Sequence, residues 1–187
     1  MGKIFLTLLG CCLLGVFVYR ADVRPKSFDD VDWKTVTAEQ INALIKAKAD
    51  VNAGNKAGIT PLMAAAENNN DPAVTKALIR AGVDVNARYK NWGISPLMVA
   101  AAKNENPAVT EALIRAGADV NARDQAGFTP LMSAVAKNEN PAVIEALVKA
   151  GADINVSDNE GKTAFDLAEN PNIKGTPVYQ KLQELKK

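Results

Sequence analysis

Asp153, Asn155 and Ser157 stand at alternate positions, the spacing at which a calcium loop offers its first oxygen ligands. The pattern then fails, because Asp158 stands where that loop needs glycine and Ala164 where its bidentate glutamate belongs. Gly161-Lys162-Thr163 has the form of the end of a phosphate-binding loop, but the first glycine of such a loop would fall at Val156. Asn155-Val156-Ser157 is a glycosylation sequon, meaningful only in a eukaryotic secretory pathway. The plainer expectation is that the Asn155 side chain bonds the loop backbone, as at the equivalent Asn86 and Asn121. Carboxylates such as Asp84 and Asp119 could do acid–base chemistry, yet they recur in every unit of the chain, as structural residues do.

Composition removes further chemistries. Histidine is absent and both cysteines, Cys11 and Cys12, lie in the first apolar run, so the rest of the chain offers no thiol or imidazole. Disulfides, Cys or His catalysis and Cys/His zinc sites are thereby excluded after that run. Lys and Arg number 22 against 21 Asp and Glu, interleaved along the 187 residues. No basic stripe gathers phosphates, so nucleic acid is not the expected partner. No metal and no cofactor is implied, and the chain does not read as an enzyme.

What positions these residues is a repeat. Gly58-Ile59-Thr60-Pro61-Leu62-Met63 returns as Gly93-Ile94-Ser95-Pro96-Leu97-Met98 and Gly127-Phe128-Thr129-Pro130-Leu131-Met132, then decays to Gly161-Lys162-Thr163-Ala164-Phe165-Asp166. The glycines are 35, 34 and 34 residues apart. Ala81-Gly82-Val83-Asp84-Val85-Asn86 returns in phase at Ala116 to Asn121 and Ala150 to Asn155, with a degenerate copy at Ala47 to Asn52. Two anchors in phase define a repeat architecture.

Each unit reads as two helices and a loop. Thr60, Ser95 and Thr129 can cap a first helix, with the following proline at the position where a missing amide hydrogen costs nothing. A second helix opens at Asp71-Pro72, Asn106-Pro107 and Asn140-Pro141 and closes at Gly82, Gly117 and Gly151, where a left-handed residue is wanted. Val74, Ala77 and Leu78, with their copies, form its apolar face, while Leu62, Ala65 and Ala66 line the first helix. So little core cannot stand alone, and stacking must supply the rest. Thr37-Ala38-Glu39-Gln40 fits a capping box opening a helix to Ala47, with Lys48 in place of the closing glycine. Thr176-Pro177 opens a last helix reaching Lys186-Lys187.

The Thr-Pro-Leu, Ala-Ala and Gly-Ala-Asp-Val-Asn elements, over roughly residues 37 to 170, resemble the ankyrin-repeat family. The resemblance implies an all-α ankyrin-repeat solenoid of stacked helix-turn-helix units with β-hairpin-like loops. The expected organisation is residues 21–36 as linker and start of an N-terminal cap, 37–54 as a partial repeat, 55–88, 89–123 and 124–157 as full repeats, and 158–187 as a C-terminal capping repeat. Met63, Met98 and Met132 replace the family's usual histidine, so apolar packing must stand in for that histidine's hydrogen bonds.

Residues 1–20 are a separate problem. Ile4 to Tyr19 is apolar or small and uncharged, preceded by Lys3 and followed by Arg20, Asp22 and Arg24. This is a signal peptide or a short membrane anchor through residues 4–19. Bulky Tyr19 sits at minus three from the best cleavage point, after Ala21, which keeps the uncleaved anchor open. Leu8-Leu9-Gly10-Cys11 resembles a lipoprotein box that would acylate Cys11, although Leu13 to Tyr19 would remain as an apolar tail. An exported location (periplasmic, secreted or membrane-anchored) is expected.

The resemblance also implies a use. Ankyrin proteins usually meet a protein partner at their loop tips and on the exposed face of the first helix. The tip column reads Ile59, Ile94, Phe128 and Lys162, and the longest tip adds Tyr89 and Trp92. The helix columns read Ala64, Val99, Ser133; Glu67, Ala102, Ala136; and Asn68, Lys103, Lys137. Ile59, Tyr89, Trp92, Ile94, Val99, Lys103, Phe128 and Lys137 therefore form the candidate partner-binding set, an apolar ridge flanked by two lysines. Ile59, Ile94 and Phe128 could equally be filler between hairpins. The expected function is a non-catalytic scaffold for a protein partner; the alternative is an envelope-structural, self-associating role.

Overall fold

A computed structural model describes residues 27–169 and 173–185. Residues 1–20, expected to be a signal peptide or anchor and including Cys11, lie outside the described residues, as do Lys186-Lys187. Among the described residues the chain is helical throughout: a 3-10 turn (Phe28–Asp30) is followed by α1 (Ala38–Lys46), α2 (Pro61–Asn68), α3 (Pro72–Arg80), α4 (Pro96–Lys103), α5 (Pro107–Arg115), α6 (Pro130–Lys137), α7 (Pro141–Lys149), α8 (Ala164–Ala168) and α9 (Pro177–Leu185).

Caps set the helix starts. The hydroxyls of Thr60, Ser95 and Thr129 each accept the backbone N–H three residues on, and Asp71, Asn106 and Asn140 each accept the N–H two residues on. Thr37 and Gln40 form the expected reciprocal box at α1. The helices then stack in two layers. An inner row runs α2, α4, α6, α8, each packed on the next, and an outer row runs α1, α3, α5, α7, α9. Leu62, Leu97 and Leu131 from the inner row and Leu78, Leu113 and Leu147 from the outer row are at most 1% exposed, so one core runs the length of the stack. Met63, Met98 and Met132 are buried where the resemblance wanted apolar packing.

The helix ends follow the sequence closely. Gly117 has φ +89°, and no atom lies within 4 Å of where its Cβ would be, so glycine is required there by backbone conformation alone. Lys48, at the equivalent place after α1, has φ 61° and is the one non-glycine residue in that region among those described.

Two rows of asparagine tie unit to unit. Asn104, 1% exposed, donates from Nδ2 to the carbonyls of Ala66 and Asn69 in the preceding unit, while its Oδ1 accepts the N–H of Asn106. Asn138 does the same towards Ala101 and Asn104, and Asn69 towards Trp33 and Val36. Along the loops, Asn52, Asn86 and Asn121 accept the N–H of Asp84, Asp119 and Asp153, and Asn86 and Asn121 donate to the carbonyls of Gly117 and Gly151. Asn155 departs from the expectation. Among the described residues its side chain makes no such bond, and its backbone N–H is accepted by Asp153.

The stretch expected as linker and start of an N-terminal cap is described from residue 27 onward. Phe28 and Val36 are buried, and Phe28 stacks on Trp33 with ring centroids 6.1 Å apart, closing the first end of the core.

Candidate functional site: a groove on the inner face

Each unit projects a loop tip beside the start of its inner helix. The tips are tight turns rather than strands among the described residues: Asn55 N–H donates to the Ile59 carbonyl, Tyr89 to Ile94, Asp124 to Phe128 and Asp158 to Lys162, and the glycine of each turn donates back to the carbonyl of its first residue. In three tips the leading Asn or Asp folds the turn from inside. Oδ1 of Asp124 accepts the N–H groups of Ala126 and Phe128, and Asn55 and Asp158 act likewise.

These bonds dispose of the tempting motifs. Asp158, which stands where a calcium loop needs glycine, is 7% exposed and spent on its own turn. Lys162 of the phosphate-loop fragment pairs with Glu160 at 2.9 Å. Asp84, Asp119 and Asp153 each accept the backbone N–H two residues on, a turn-forming role.

The second tip is built differently. Tyr89 stands where the others have Asn or Asp, and the turn carries one extra residue. Arg88 braces this tip in a different way, its guanidinium donating to the Gly93 carbonyl at 2.8 Å and to the Arg123 carbonyl of the next loop at 2.9 Å. The Trp92 carbonyl accepts the Gln125 N–H, linking the two tips. Trp92 itself is 60% exposed, the one large apolar side chain exposed to that degree among the described residues. Tyr89 is half-buried and lies over the preceding tip, its ring 3.7 Å from where a Gly58 Cβ would be.

Five of the eight candidate residues converge. Ile94, Val99, Lys103, Phe128 and Lys137 line one groove of about 290 Å³ between the second and third tips and the helices α4 and α6. Ala102, Ala136, Ser133 and Met98 complete its floor, with Glu67 and Asp124 on its border. The expected ridge is thus a depression: Ala102 and Ala136 stand between the tip residues and the lysines, and small side chains there leave a hollow. Phe128 serves both readings, being partly buried against the core while facing the groove. Ile59 lies elsewhere, in a smaller hollow of about 180 Å³ shared with Phe28 and Trp33. Tyr89 and Trp92 border neither hollow.

Lys103 and Lys137 are exposed and make no ion pair among the described residues. No cluster of metal-ligating side chains is found among the described residues. No helix among them is long and apolar enough to cross a membrane.

A two-layer helical stack whose tips and inner helices frame a groove is a repeat solenoid of the kind that holds other macromolecules along its face. A model described as ankyrin repeats in three copies matches residues 35–124, and one described as ankyrin repeats in many copies matches residues 113–168. The chain belongs to the ankyrin-repeat family, whose repeats generally mediate protein–protein interaction. Comparison with curated proteins gives no match.

Proposed function

We propose that this chain is a non-catalytic binding module that holds a segment of another protein in the groove between its second and third tips and the helices α4 and α6. One observation carries the reading: residues chosen from three different sequence columns, tip, mid-helix and helix end, fall around a single hollow. Its floor is apolar and its rim charged, the anatomy of an interface core and rim. Trp92, on the second tip but outside the groove, is a further anchor for a partner that extends beyond it. The apolar run at residues 4–19 supports placing the module outside the cytoplasm, exported or held at a membrane. A fusion of residues 1–26 to an alkaline phosphatase that is active only after export tests that placement, and an inactive fusion would refute it.

Val99→Glu places a carboxylate on the groove floor, whereas Lys76→Glu changes an exposed residue of α3 in the outer row. Proteins recovered from native extracts with the tagged parent chain and with Lys76→Glu, but absent with Val99→Glu, are the expected result. Recovery of the same proteins with all three would remove the groove as the binding site.

A further inference from the structure

We infer that the groove's occupant is a protein segment in which a large apolar side chain stands within two residues of a carboxylate; this rests on the reading of the groove as a protein-binding site. Size comes first. Small-molecule sites usually enclose roughly 300–1,000 Å³; an open groove of about 290 Å³, at the bottom of that range, has room for one or two side chains of a protein segment. The floor from Val99 through Ala102 and Ala136, between Ile94 and Phe128, suits an apolar anchor.

Charge supplies the second part. Lys103 and Lys137 end α4 and α6, which pack directly on each other, so the two chains are rooted about 8–10 Å apart. Cations also end the outer helices α5 and α7, where the helix dipole favours them, but there an acid one turn earlier completes the pair: Glu111 with Arg115 and Glu145 with Lys149. In α4 and α6 the same place holds Val99 and Ser133. The two inner-row lysines are left without an acid of their own, side by side at one end of an apolar floor. Two acids also border the groove, Glu67 on α2 and Asp124 at the third tip, but neither forms an ion pair with these lysines, and Asp124 has one oxygen engaged by two backbone N–H groups. A carboxylate beside the anchor relieves the lysine pair, and a cation there opposes it.

Selection of a randomised 12-residue displayed peptide library on the immobilised full-length chain, with counter-selection on Val99→Glu, reads the preference directly. The expected peptides carry Asp or Glu within two positions of Leu, Ile, Phe or Trp. A synthetic copy of one should bind Lys103→Glu/Lys137→Glu at least tenfold more weakly than the parent, and raised salt should narrow that gap. Selected peptides without acids, or an affinity unchanged by the double charge reversal, overturn the partner chemistry while the groove stands. Peptides that bind Val99→Glu as well as the parent, or a library that yields none discriminating the two, overturn both. Ala136→Glu repeats the floor test at a second position, and circular dichroism melts confirm that each variant is folded.

Discussion

Thr75 and Thr110 occupy the same place in α3 and α5, both 0% exposed, and neither hydroxyl has a hydrogen-bond partner. In α7 the equivalent residue is Ile144, equally buried, so the site accepts an apolar side chain without loss of the fold. An unpaired hydroxyl held away from water costs about 1–3 kcal/mol. Thr110→Val keeps the branched shape and removes the oxygen, and should therefore raise unfolding free energy by about 1 kcal/mol. Urea denaturation of the two chains measures it, and a lower midpoint for the variant would mean the hydroxyl bonds a helix carbonyl in solution. Such positions are invisible to a reading of periodicity, which registers Thr at a core spacing but not whether its oxygen is paired. The same blindness misjudged Asn155, which shares the repeat position of Asn86 and Asn121 but makes no side-chain bond of their kind among the described residues.

At the scale of the element, helix starts and ends were legible because each depends on a residue type at a fixed place: Thr or Ser before Pro, Asp or Asn before Pro, and Gly, or Lys48, in a left-handed turn. The groove was legible in part for the same reason. A column offset finds Val99, Lys103 and Lys137, but only packing shows that Ala102 and Ala136 hollow the surface between them. The buried asparagine row was missed, although its signal was present as an Asn at 69, 104 and 138, each two residues before a capping Asp or Asn. Apolar pattern reading assigns polar residues in a turn to solvent, whereas these side chains carry bonds between units. Asn104→Ala deletes two such bonds and orphans the Asn106 N–H as well, leaving carbonyls of Ala66 and Asn69 short of a donor. The loss should be about 3 kcal/mol by denaturant melts, well above the cost of the same change at exposed Asn91. Equal effects at the two positions would show that water replaces the ladder.

Across the described residues, cohesion comes from apolar helix faces and neutral asparagine rows, with ionisable groups other than Asp158 kept out of the core. The ion pairs that move a pKa are exposed. A hydrogen bond from Lys149, reinforced by its charge and that of Lys181, lowers the Glu145 carboxyl, and the reciprocal bond raises Lys149. Bonds to Glu160 and Glu169 raise Lys162 and Lys174 in the same way. For Glu145, the lowered group, any stabilisation is complete above its unfolded value near 4.3 and is lost as pH falls through the folded one. For the raised lysines it is complete below about 10.4 and is lost as pH climbs past the folded value. Both windows lie outside the neutral range, and no histidine titrates between them. The melting temperature should therefore hold constant within about 2 °C from pH 5.5 to pH 9, in low salt where exposed pairs have their greatest effect. Differential scanning calorimetry at three pH values across that range suffices. A step near pH 6 to 7 would show that a group inside the stack changes charge there, and would refute the account of a fold held by apolar faces and neutral asparagine rows.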